Sequence, residues 1–184
     1  ETGPGLSTEE KAEAIWKFFL TESADNIFSR YFIDTKDESG TKMPVFNGPS
    51  GYHAWGGNTP VQDLVDAFAM EDGSKFDWSN AQHAAAPYSG REPRFYASIN
   101  FNGQQWRGRQ LEFWQGGKDG INVSKVDYCC TGYLLRKTAD EGVDVINGKG
   151  GMKEASILFR VGSLYLDYAE ALNEAEGPVD DVYK

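Results

Sequence analysis

The chain has 184 residues, 40% of them apolar, which suits about one domain with a buried core. Its 18 Lys and Arg against 28 Asp and Glu give a formal net charge of −10. The basic residues stand singly or in pairs (Arg107 and Arg109; Arg136 and Lys137), so nucleic acid and anionic lipid surfaces are poor partners, and neutral ligands or another protein fit better. No stretch approaches the ~18 uninterrupted apolar residues of a membrane helix.

In chain order, Ser7 followed by Glu10 makes a capping box. Ala12, Ile15, Trp16 and Phe19 then set one apolar stripe, predicting a first helix. Residues 25–33, rich in aromatic and branched side chains, read as a strand. Asp34 to Asn58 loses all periodicity and carries Gly40, Pro44, Gly48, Pro49, Gly51, Gly56 and Gly57, the composition of a long loop. A second helix is expected to open with Thr59 as N-cap and Pro60 at its first position, burying Val61, Leu64, Val65 and Phe68. Arg94 to Trp106 reads as a hairpin turning at Asn102-Gly103, with Phe101 facing Gln104, Ile99 facing Trp106, and Trp106 in the core. Residues 115–153 are Gly-rich and polar, broken by a strand-like Tyr133-Leu134-Leu135. A long helix from Ile157 to Ala175, ended by Gly177-Pro178, closes the chain. Its row Val161, Tyr165, Tyr168 and Leu172 calls for a covering helix that the six residues after Pro178 are too few to supply. The expectation is a fragment of a longer protein.

Reaction signatures are scarce. Cys129 and Cys130 are adjacent and poorly placed to bond to each other, so two buried free thiols are expected. His53 and His83 have no metal-ligand spacing to carboxylates or cysteines, and neither a metal nor a cofactor is implied. Gly142 to Gly150 imitates a phosphate loop but is one residue too long and has Gly150 where Ser or Thr would hold magnesium, so it reads as a turn. A glycosidase needs two carboxylates facing one site, and 28 acidic residues neither nominate nor exclude a pair.

Several blocks in order carry a resemblance. Trp55-Gly56-Gly57-Asn58-Thr59-Pro60-Val61-Gln62-Asp63-Leu64-Val65-Asp66 through Gly73, then Arg91-Glu92-Pro93-Arg94-Phe95-Tyr96-Ala97, Asn102-Gly103 with Trp106, Thr131-Gly132-Tyr133 through Lys137, and Tyr165 through Glu174 resemble SusD/RagB outer-membrane nutrient-binding lipoproteins over residues 24–178. Glu92 departs from the family's usual Asp, and Gly162-Ser163 from its usual Ala-Glu. The resemblance implies a mainly α fold with long loops and small β-hairpins, a fragment of a SusD-like, tetratricopeptide-containing architecture. Residues 1–150 would be its loop-rich region with a hairpin, and 151–184 the truncated start of a helical-repeat segment. It also implies glycan capture without catalysis, a SusC-like TonB-dependent transporter as partner, and a lipid anchor, absent from this chain, at the outer face of the outer membrane.

Within that frame, Arg91, Glu92 and Arg94 beside Pro93 suggest a paired-charge staple at a strand entry. Sugars stack their C–H faces on flat rings and hydrogen-bond their hydroxyls, so ligand contacts are expected from loop aromatics outside the packing pattern. Tyr52, His53 and Trp55 are the first candidates; Trp78 and Tyr88, with Asn80 as hydroxyl partner, follow. Trp55 could equally pin its loop to the core. A glycoside hydrolase or accessory domain is one rival reading, and a helical-repeat scaffold binding peptide or protein another.

Overall fold

A computed structural model describes residues 5–21, 23–31, 43–122, 127–137, 139–143, 145 and 155–183. Among the described residues, helices and three two-stranded antiparallel ladders alternate, joined by long turns.

Helix α1 (Thr8–Leu20) starts as its sequence dictates. Glu10 N–H donates to Ser7 Oγ, and Ser7 N–H donates to Glu10 Oε2 at 2.8 Å. Ala12 and Trp16 are its buried residues, and the Trp16 indole N–H donates to the Ala139 carbonyl at 3.0 Å, fastening the helix to the distant segment 136–139. Strand β1 (Asn26–Tyr31) forms within the predicted 25–33. The part of the expected 34–58 loop that is described is more ordered than its composition suggests. Helix α2 (Met43–Asn47), with Pro44 in its first turn where a missing N–H costs little, runs into a 3-10 turn at Ser50–Tyr52.

Helix α3 (Gln62–Asp66) begins after the predicted cap. Val61 is still extended, and Thr59 does not cap. Of the expected stripe only Val65 is fully buried, while Val61 and Leu64 face outward, because five residues make little more than one turn and present one position inward. Helix α4 (Ala81–Ala85) is capped by Asn80.

The predicted hairpin is replaced. Pro93 starts a helix, α5 (Pro93–Ser98), with Phe95 and Ala97 buried. Strand β2 (Ile99–Asn100) then pairs with β5 (Leu134–Leu135), and β3 (Gln105–Trp106) with β4 (Arg109–Gln110). The turn itself forms: Gly103 has φ 86°, and Gln104 N–H donates to the Phe101 carbonyl. Trp106 is buried as expected, though Ile99 is not its partner.

Among the described residues two apolar clusters result. One holds Trp106, Leu111, Phe113, Cys129, Leu134 and Ala139; the other holds Val65, Phe95, Ile99 and Tyr133 with Phe68, Tyr88 and Phe101 packed on it. Cys129 is buried, but Cys130 is exposed, correcting the expected pair of buried thiols. Arg91 is also corrected. Its guanidinium lies between the Phe76 and Phe95 rings and donates to the carbonyls of Val65, Phe68 and Pro87, while Glu92 pairs with the exposed Arg94 and accepts from Ala69 N–H. The staple is structural, but carbonyls satisfy the buried cation, and it sits at a helix entry.

Near the C-terminus, Ile157 to Arg160 belongs to strand β6 (Ala155–Arg160), antiparallel to β1, so the last helix, α6, is Val161–Glu176. The apolar run Ile157-Leu158-Phe159 finds a strand partner before helical periodicity starts. Asp25 marks the switch: its carbonyl accepts from Val161 N–H at 2.8 Å and its Oδ1 from Gly162 N–H at 3.0 Å. No described residue of α6 is fully buried, and Leu164, Tyr165, Leu166 and Tyr168 stand open to solvent. Most of Gly142–Gly150 lies outside the described residues.

Candidate functional site

The candidate residues fall on two loop regions. In the first, Tyr52 ends the 3-10 turn, its hydroxyl donating to the Trp106 carbonyl at 2.7 Å, its ring covered by the Arg109 guanidinium at 4.4 Å. Burial pushes its phenol pKa upward. His53 follows in the left-handed region with φ 64° and an exposed side chain; its N–H donates to the Ser50 carbonyl. Trp55 is 49% exposed and leans on Phe46, ring centroids 5.0 Å apart. Its N–H donates to the Val45 carbonyl, while Gly57 N–H donates to the Phe46 carbonyl. Between them Gly56 takes φ 61° against the Tyr128 and Cys129 backbone, where a Cβ would sit 3.1 Å from a carbonyl carbon. Trp55 therefore projects outward from a backbone fixed on both sides.

A buried ion pair anchors this loop. Asp119, with no exposed surface, accepts from both Arg109 Nη groups at 2.7 and 2.8 Å, from Glu112 N–H at 2.9 Å and from Gly51 N–H at 3.0 Å. That hydrogen bonding raises the Arg109 pKa.

In the second region Trp78 is 48% exposed. Its indole N–H donates to Asp66 Oδ2 at 2.8 Å, and its ring meets the edge of Phe76 at 5.0 Å, with His83 stacked on Phe76. Asp77 and Asn80 serve the turn: Asp77 accepts from Ser79, which lowers its pKa, and Asn80 Oδ1 accepts from Gln82 N–H. Tyr88 is half-buried, its ring 4.6 Å from Phe101, its hydroxyl 3.3 Å from that of Tyr133. Burial first, then the Tyr133 contact, raises its pKa strongly. Tyr88 also lines an open groove of about 460 Å³ with Tyr96, Phe101, Gln104, Gln105 and Arg136, walled by Glu9 and Glu13 of α1.

The structure thus sets Trp55 and Trp78 outward and Tyr52 against the first apolar cluster; Tyr88 faces both cluster and groove. Each exposed indole leans on another ring, Trp55 on Phe46 and Trp78 on Phe76, which also stacks with His83. Sequence reasoning missed Phe46, Phe76 and Asp66, which brace the exposed rings. It also missed Trp114, 54% exposed in the turn after β4, whose signal was its place in a Gly-rich segment outside any apolar period. Among the described residues no group of three or more His, Cys, Asp or Glu is gathered as a metal would need.

These loops on short helices and paired strands define a class already known. The SusD family model matches residues 12–184, and the chain belongs to the SusD family. A SusD-like protein of Bacteroides fragilis is 25% identical with a TM-score of 0.74, covering 98% of this chain and 38% of that one. A SusD-like carbohydrate binding protein of the same organism is 21% identical with a TM-score of 0.67, covering 84% of this chain and 30% of that one. The chain therefore spans well under half the length of these relatives. A search of curated proteins returns no match.

Proposed function

We propose that the protein is a non-catalytic glycan-binding subunit that captures oligosaccharide or polysaccharide for import through a SusC-like TonB-dependent transporter, lipid-anchored at the outer face of the outer membrane. The observation that carries this reading is the pair of half-exposed indoles on loops, Trp55 braced by its backbone and Phe46, Trp78 by Asp66 and Phe76. A flat ring held outward with its edge fixed is what a sugar's C–H face requires, and little side-chain freedom is lost when it is covered. Family membership supports it, as does the carbohydrate binding stated for the second relative. In this reading Trp55 and Trp78 stack on sugar rings, His53 and Asn80 flank them as hydroxyl partners, Tyr88 lines the neighbouring groove, and Tyr52 holds the loop while its ring edge borders the ligand. The formal net charge of −10 favours neutral over acidic glycans.

Affinity electrophoresis in gels of soluble starch, xylan, galactan and arabinan tests it. Retardation by at least one polysaccharide, weakened in Trp55→Ala and Trp78→Ala with circular dichroism unchanged, is the expected result. Release of reducing ends from the retarding polysaccharide would move the assignment to a hydrolase. Unretarded migration in all four gels, with capture of a peptide pool, would favour the scaffold reading.

A further inference from the structure

Trp78 and Tyr88 are the two ends of a single hydrogen-bonded line. The Asp66 carboxylate can only accept: Oδ2 takes the Trp78 indole N–H at 2.8 Å, and Oδ1 takes Gln62 Nε2–H at 2.7 Å. With its nitrogen so committed, Gln62 turns Oε1 to the Tyr133 hydroxyl at 3.0 Å, and Tyr133 must donate. Its one proton spent, Tyr133 can only accept from the Tyr88 hydroxyl 3.3 Å away. One charge therefore sets the direction of every bond in the line, and bonds aligned this way strengthen one another. Gln62 and Asp66 stand at i and i+4 of α3, on one face of that short helix. Tyr133 is buried beneath, packed edge-on to the Tyr88 ring.

We propose that Asp66, Gln62 and Tyr133 are positioning residues that set Trp78 and Tyr88 as one preformed unit for a saccharide. Because its indole N–H is spent on Asp66, Trp78 offers a ligand only its face, which selects the C–H surface of a sugar ring over a hydroxyl acceptor. This inference deepens the glycan reading above and rests on it.

The test uses protein labelled with ¹⁵N at tryptophan, the Trp78 indole signal being assigned by its loss in Trp78→Phe. Asp66→Ala is expected to move that signal to the position of a free indole and to speed its hydrogen exchange. Asp66→Asn should restore it, since Asn keeps an oxygen for Trp78 while its NH₂ faces Gln62, whose amide turns over and reverses the line. In the four polysaccharide gels, Asp66→Ala should weaken retardation by about two- to tenfold, the cost of ordering a freed ring, and by less in a Trp78→Ala background, where only Tyr88 is left to position. An indole signal unchanged by Asp66→Ala overturns the line. Equal losses from Asp66→Ala with and without Trp78 would mark general loosening and overturn the positioning role. Indole shifts as expected, alongside Trp78→Ala retarded like the wild type, would overturn this role while leaving the glycan reading standing; unretarded migration of the wild type in all four gels would defeat that reading.

Discussion

Asp119 has no exposed surface, yet two guanidinium N–H groups and two backbone N–H groups reach it. Asp119→Ala would leave Arg109 facing a hole and two amides without acceptors, so a loss of about 3–5 kcal/mol is expected in urea unfolding. Gly51→Ala acts on the same point, since its Cβ would fall 2.2 Å from Arg109 Nη2 and 2.6 Å from Asp119 Oδ1. It should lower the melting temperature although it adds one methyl group. The two cysteines differ as their surroundings do. Burial pushes the Cys129 thiol pKa up, and Cys130 is exposed. Iodoacetamide at pH 8 should therefore modify one thiol in the native protein and both in urea, and mass spectrometry of peptides should find Cys130 first. Legibility was uneven here. Trp55 was readable as a loop ring by its Gly and Pro neighbours. The anchoring of Tyr52 was hidden, because the carbonyl that accepts from it belongs to Trp106, 54 positions away.

Among the elements, the capping box of α1 and the strand character of β1 were visible, since each depends on neighbours in sequence. Residues 94–99 misled because burial at Phe95, Ala97 and Ile99 has the period of a strand, while Pro93 and the Arg91 carbonyl contacts start a helical turn there. The β6 to α6 switch was missed for a related reason, because its cap lies on another segment, at Asp25. Asp25→Ala should cost about 1 kcal/mol, the worth of an N-cap, and circular dichroism should show the helix fraying from Val161. Thermal scans of Asp25→Ala beside Ser7→Ala would compare a cap supplied from afar with one supplied locally; equal losses are expected.

At the level of the whole molecule, Tyr52, Tyr88 and Tyr96 all have raised phenol pKa values, chiefly because burial disfavours the charged form. The unfolded chain ionises them first, near the ordinary value of about 10, so their contribution is fully present below that pH and is lost as pH climbs toward the folded values. Urea midpoints should stay level with respect to these groups up to about pH 9 and fall above pH 10. Tyr88→Phe should flatten that fall. The outward face of α6 behaves oppositely to a core: Leu166 is 73% exposed, and Leu166→Ser should alter stability by no more than about 0.5 kcal/mol. Of the architecture, the mainly helical character with small strand pairs was implied by the resemblance that the ordered motifs carry. The β1–β6 and β2–β5 partnerships could not be read, because each joins stretches whose separation no local pattern records.

The ladder between β1 and β6 sets a schedule for synthesis. Gly162 N–H finds its acceptor on Asp25, 137 positions earlier. During translation the first strand leaves the ribosome long before its mate exists, with Ile27 and Phe28 exposed on an unpaired edge. Slowed elongation ahead of residue 155 should therefore raise the yield of aggregated nascent chains.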